Sequence, residues 1–145
     1  VMAISVTQRI ISHEAAHTAV KAAVDKASVL GIRINAAVAD NGGNLVAFLR
    51  MPNAFLHSID IAVDKAYTAA GFGFSTSKWG DILPPGTTLR QNIQNRDRLV
   101  TFGGGITIEV DGERLGGIGI SGGSEDQDIE CAQAGLGAIV DMGAA

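Results

Sequence analysis

Hydrophobic and polar positions change rhythm several times along the chain, and each change marks an element. After Ser5, with Gln8 three residues later in a capping box, good helix formers run to about Leu30, where Gly31 ends the pattern. Residues 32–39 (IRINAAVA) and 45–50 (LVAFLR) read as strands, joined by the turn sequence Asp40-Asn41-Gly42-Gly43-Asn44. Helical spacing returns from Ser58, an N-cap residue type, to about Ala70, with Ile59, Ala62, Val63 and Ala66 on one face. Residues 71–97 are polar and irregular around Pro84-Pro85-Gly86, with room for one or two helical turns. So long a connection is usually functional. Strands follow at 105–110 and 114–120 around Asp111-Gly112, with a short strand at 98–102 before them, and a capped helix runs from Ser124 to Met142.

The order is helix, hairpin, helix, loop, hairpin, helix. Hairpins in place of alternating strand and helix units predict an α+β fold with an antiparallel sheet flanked by helices. The length of 145 residues, without an internal repeat or linker, predicts a single domain over 1–145.

Composition sharpens this picture. Glycine is crowded late: 7 of the 19 lie before residue 100, and 12 between Gly103 and Gly143. The net charge of -4, without a basic stripe, argues against nucleic acid as a partner. Apolar runs fall far short of the ~20 residues that span a bilayer, and no charged start precedes an apolar core. Cys131 stands alone, which excludes internal disulfides and cysteine-based zinc clusters. A cytoplasmic protein is the expectation.

Two patterns imitate well-known motifs. Gly117-Ile118-Gly119-Ile120-Ser121-Gly122 spells G-x-G-x-x-G. The helix after it opens with Glu125, Asp126 and Asp128, which would repel a pyrophosphate, and no second parallel strand is expected. Close backbone approach explains these glycines better. Gly103-Gly104-Gly105 is read as turn geometry or, alternatively, as a set of N–H donors for a carboxylate.

The second pattern is His13-Glu14-Ala15-Ala16-His17, an H-E-x-x-H sequence. Zinc hydrolysis would need a third protein ligand, for which His57 is the remaining histidine. At 100° per residue, Ile10, His13, His17, Val20, Val24 and Ala27 share a stripe, with Glu14, Thr18, Lys21 and Asp25 opposite. That places His13 and His17 on the apolar face. There they are either hydrogen-bonded structural histidines or metal ligands, including axial ligands for haem iron. In the second helix Asp60 and Asp64 are one turn apart beside Lys65; Asp64 reads as solvated and Asp60 remains open to proton transfer.

Three segments together resemble a known family: SIDIAVDKAYTAAGFG (58–73), GGGITIEVDGERLGGIGISGG (103–123) and SEDQDIECAQAGL (124–136). They are similar to the GlcG/HbpS-like, haem-degrading family, which includes the C-terminal domain of PduO-type corrinoid adenosyltransferases. The first helix and ADNGGNLVAFLRM (39–51) fit as well. The resemblance implies a profilin-like domain with a mostly antiparallel five-stranded sheet flanked by helices. It also implies homo-oligomers, often octamers, with haem binding in several members and catabolic gene neighbourhoods. Many members carry Leu, Thr or Arg where this chain has His13 and His17, and a small residue where it has His57.

Two functions follow from these readings. The first is an oligomeric haem or tetrapyrrole-binding protein, a degrader or an accessory to catabolism. His13, His17 and His57 are its candidate ligands, and Gly103, Gly104 and Gly105 line its groove. The second is a cofactor-independent enzyme acting on a small organic acid. There Asp60 moves a proton, and Lys65, Arg90, Arg96 or the Gly103–Gly105 amides hold the carboxylate.

Overall fold

A computed structural model of the chain describes residues 1–143, with side-chain surroundings described as far as Val140; Ala144 and Ala145 lie outside the described residues. The elements are α1 (His13–Leu30), β1 (Asn35–Asp40), β2 (Leu45–Arg50), α2 (His57–Phe72), a 3-10 turn at Thr76–Lys78, α3 (Trp79–Ile82), α4 (Thr88–Ile93), β3 (Gly105–Val110), β4 (Glu113–Ser121) and α5 (Glu125–Gly143).

The sheet is antiparallel throughout, in the order β2-β1-β4-β3. Helix α2 covers one face, and α1 and α5 pack together on the other. The α+β expectation holds, but among the described residues the sheet has four strands, not five. Residues 98–102 do not pair with it. The Thr68 hydroxyl captures them instead, donating to the Arg98 carbonyl (2.9 Å) and accepting from the Val100 amide (3.1 Å). The segment is therefore tied to α2.

The period of two explains both cores. On β1, Ala36 and Val38 face α1 and α5, while Ala37 and Ala39 face Ala62 and Ala66 of α2. On β4, Ile118 and Ile120 join the first core. The alternate residues, Gly117 and Gly119, press against α2, where a Cβ at either would come within 2.5 Å and 2.1 Å of the Ala66 and Ala62 carbonyls. The G-x-G pattern is thus a helix-on-sheet contact with no room for side chains.

Helix α1 begins at His13, not after Ser5. Ser12 is the N-cap, its hydroxyl accepting from the Ala15 amide at 3.1 Å. The preceding residues are held outside a helix by tertiary bonds: the Ile11 amide donates to Leu115 O (3.2 Å) and Asn41 Nδ2 to Arg9 O (3.1 Å). Gly31 closes the helix in the left-handed region (φ 71°), as expected. The buried face is Ala16, Ala19, Val20, Ala23 and Ala27, so the predicted stripe is rotated and both His13 and His17 are exposed. Helix α2 instead starts early, with Leu56 at its N-cap two positions before the expected Ser58 and no side-chain cap bond, and Ser58 is buried. The α5 capping box is reciprocal, with Gln127 N donating to Ser124 Oγ (3.2 Å) and Ser124 N to Gln127 Oε1 (3.0 Å).

Candidate functional site

The charged groups that the fold brings together meet where α2, β4 and α5 converge. Lys65 sits on the inner face of α2 with Ala62, Ala66 and Ala69, and it is only 1% exposed. Its ammonium donates to the Ile120 carbonyl of β4 at 2.7 Å and to Asp128 Oδ2 of α5 at 3.2 Å. The ring of Phe102 lies 4.9 Å from Nζ. Asp128 also accepts from the Gly123 amide at 2.8 Å. Burial lowers the Lys65 pKa below its ordinary value, against the pull of Asp128. Burial likewise raises the Asp128 carboxyl, against Lys65 and the Gly123 amide. The pair joins α2, β4 and α5 around one charge.

Gly103, Gly104 and Gly105 wrap this pair and are buried. The Gly103 amide donates to Glu125 Oε1 (2.8 Å), and the Gly105 amide to Thr76 Oγ1 (2.9 Å). A Cβ on Gly104, at φ 123°, would stand 2.5 Å from Lys65 Nζ. Two of the three amides are therefore engaged by the chain's own side chains.

Asp60 is exposed, apart from buried Lys65, so the structure does not assemble these two into one site. Asp64 pairs with Arg98 (3.1 Å). His57 is exposed at the start of α2. It lies across the sheet from His13 and His17, which begin α1 on the opposite face. A third zinc ligand is therefore not supplied by His57. Among the described residues no group of three or more His, Cys, Asp or Glu is placed to hold a metal. His13 and His17 remain a surface pair one helical turn apart.

Three concave regions lie elsewhere, and no histidine lines any of them. The first, about 410 Å³, runs between the Gly42–Gly43 turn, the end of α2 and the loop after α4. Arg98 occupies its wall with φ 64° and its guanidinium carbon 3.7 Å from the Tyr67 ring centroid. The second, about 580 Å³, opens beside Met51 and Phe55. The third, about 270 Å³, lies beside Ile10 and Ile139.

Sequence reasoning singled out Lys65 but missed Asp128 as its partner, and it missed the Tyr67–Arg98 stack. The spacing 62, 65, 66, 69 places Lys65 on the buried face, a signal that a charge partner is needed. No comparable local signal ties Arg98 to Tyr67.

Residues 11–137 match the family described as "Haem degrading protein HbpS-like". The chain belongs to the HbpS-like family. A relative, the corrinoid adenosyltransferase PduO of Salmonella typhimurium, is 37% identical over 126 residues. That match takes in 85% of this chain but only 37% of PduO. Protein ORFY of Klebsiella pneumoniae has a similar solved structure, with TM-score 0.89, 31% identity, and 95% of this chain and 96% of that chain covered. The PduOC:haem complex has TM-score 0.83 and 36% identity, over 90% of this chain and 95% of that chain. As an HbpS-like protein, this chain keeps the fold while displaying its histidine pair on the outside of α1.

Proposed function

We propose that this HbpS-like protein binds haem, or a closely related tetrapyrrole, at the surface presented by the start of α1. The observation that carries the reading is the 36% identity to the PduOC:haem complex over nearly all of that chain. The donor set on this chain suits iron. His13 and His17 are exposed imidazoles, and neither has a protein hydrogen-bond partner among the described residues. Ile4, Val6 and Ile10, just before the pair, are exposed apolar side chains able to cover a porphyrin face. Both imidazoles leave α1 on the same side, about 6 Å apart along the axis. Either His13 or His17 would hold the haem iron.

Haem supplies an iron centre when bound; the chain contributes a neutral imidazole and an apolar cover. In this reading the protein is a cytoplasmic single-domain homo-oligomer. Haem titration followed at the Soret band is the test. Binding with a shifted Soret band, weakened at least tenfold by His13→Ala or by His17→Ala, is the expected outcome. A band unaffected by either substitution removes the ligand assignment, and no shift at all removes haem binding.

A further inference from the structure

The groove at the end of α2 is built from parts that serve no evident role in the core. One wall is apolar, formed by Tyr67, Phe72, Ile93 and Leu99. The Cδ2–Cε2 edge of Tyr67 lies against Gly43, where a Cβ would come 2.7 Å from Cε2, so the turn is shaped to admit that ring. Gly71 adds open space, since a Cβ there would meet nothing within 4 Å.

The same groove is lined by Arg96, Asp97 and Arg98, two cations and one anion, with the Arg98 guanidinium stacked on the Tyr67 ring. Arg98 is held in place from several directions. Its backbone sits at φ 64°, unfavourable for a residue with a side chain. Thr68 Oγ1 fixes its carbonyl, Asp64 accepts from Nε, and Tyr67 supports the guanidinium face. Among the described residues, its two Nη atoms and the whole Arg96 guanidinium have no protein acceptor. A fixed and a free guanidinium beside an aromatic wall, around about 410 Å³, form a receptor for a flat body ending in one carboxylate.

We infer that this groove binds a small planar organic monocarboxylate, anchored by Arg96 and Arg98 and stacked along Tyr67. The groove's lining holds no histidine, methionine or cysteine and shares no residue with the proposed haem surface of Ile4, Val6, Ile10, His13 and His17. A carboxylate arriving there has two sources, a free acid or a haem propionate, and the inference commits to the free acid.

Benzoate serves as the probe and benzamide as its neutral counterpart, titrated into the full chain by calorimetry. Emission from Trp79, whose ring meets Phe72 edge-on at 4.8 Å, reports locally on the groove. Benzoate is expected to bind at least about tenfold more tightly than benzamide and to change Trp79 emission. Arg96→Gln, a change at an exposed side chain, should bring benzoate down to the benzamide level. His13→Ala and His17→Ala should leave benzoate binding unchanged, whatever they do to haem. Equal binding of the two probes, indifference to Arg96→Gln, or no heat up to about 10 mM benzoate would overturn the site. Haem preloading that blocks benzoate would overturn it as well, by making the carboxylate a propionate.

Discussion

Lys65 shows how a single side chain organises its neighbours. It is a cation in an alanine-rich helix face, and its ammonium has one charged partner, Asp128, at 3.2 Å. Burial disfavours the charge on both groups, so the pair is a poor source of net stability yet costly to break. Lys65→Met should cost about 3–5 kcal/mol in chemical denaturation, because it strands the Asp128 carboxylate. Adding Asp128→Asn removes that charge and keeps an acceptor for the Gly123 amide, so the double variant should recover part of the loss. A Lys65→Met protein within about 1 kcal/mol of the parent would show that the pair is not coupled as its geometry requires. Cys131 makes a second residue-scale case. Burial pushes its thiol up to about 11, with Asp128 and Glu130 adding to the effect. At pH 8 the folded protein should react with a thiol reagent only at the rate of opening, while denatured protein reacts at once. Fast labelling of native protein would contradict this packing. Of these features, Lys65 was singled out only as a carboxylate holder while the expected apolar face was drawn through Ile59, Ala62, Val63 and Ala66, and Asp128 appeared only as one of several acids opening α5.

Among the elements, β4 and α1 mark the two extremes of legibility. The alternation Gly117-Ile118-Gly119-Ile120 already reads as one face with bulk and one without, and the structure places α2 against the bare face. Gly119→Ala sets a methyl 2.1 Å from a backbone carbonyl and 2.4 Å from a backbone nitrogen, where only movement of α2 relieves the clash. A loss of about 3 kcal/mol or more in thermal or urea unfolding is expected, at or beyond ordinary overpacking. Gly137→Ala on exposed α5 surface meets nothing within 4 Å and should instead gain about 0.5–1 kcal/mol through helix propensity. Equal effects at the two positions would refute the close approach. Helix α1 was harder to read. Its buried face holds four alanines and one valine, so weak hydrophobicity left the orientation of the helix ambiguous by about one position in each turn. Its start was hidden for another reason. Ser5 and Ser12 are both capping residues, and long-range bonds from residues 9 and 11 select the second. The missing fifth strand is similar, since Thr68 reaches 98–100 through space from another helix.

At the level of the whole molecule, the three-layer arrangement separates surfaces that the linear sequence had grouped together. Histidines read as one ligand set divide between opposite faces of the sheet, while the arginine groove lies at the end of α2 and the Lys65–Asp128 pair ties α2 to α5. Small-residue packing also leaves little interior for large side chains, and several of these remain outside. Phe55 and Leu56 are 68% and 72% exposed on the approach to α2, beside the 580 Å³ concavity that Met51 helps to line. Two adjacent apolar side chains on such a rim are costly to hydrate and are the kind of patch that protein partners cover. We expect a second copy of this chain to cover them. Light scattering should then give a mass several times the 14.9 kDa of one chain. Phe55→Ser with Leu56→Ser should shift that mass downward without unfolding, because neither side chain supports the core. A parent protein that is monomeric at about 100 μM would reject the assembly, since even a dissociation constant near 1 μM would leave most of the chain associated. An oligomer whose mass ignores both substitutions would place the contact on another face.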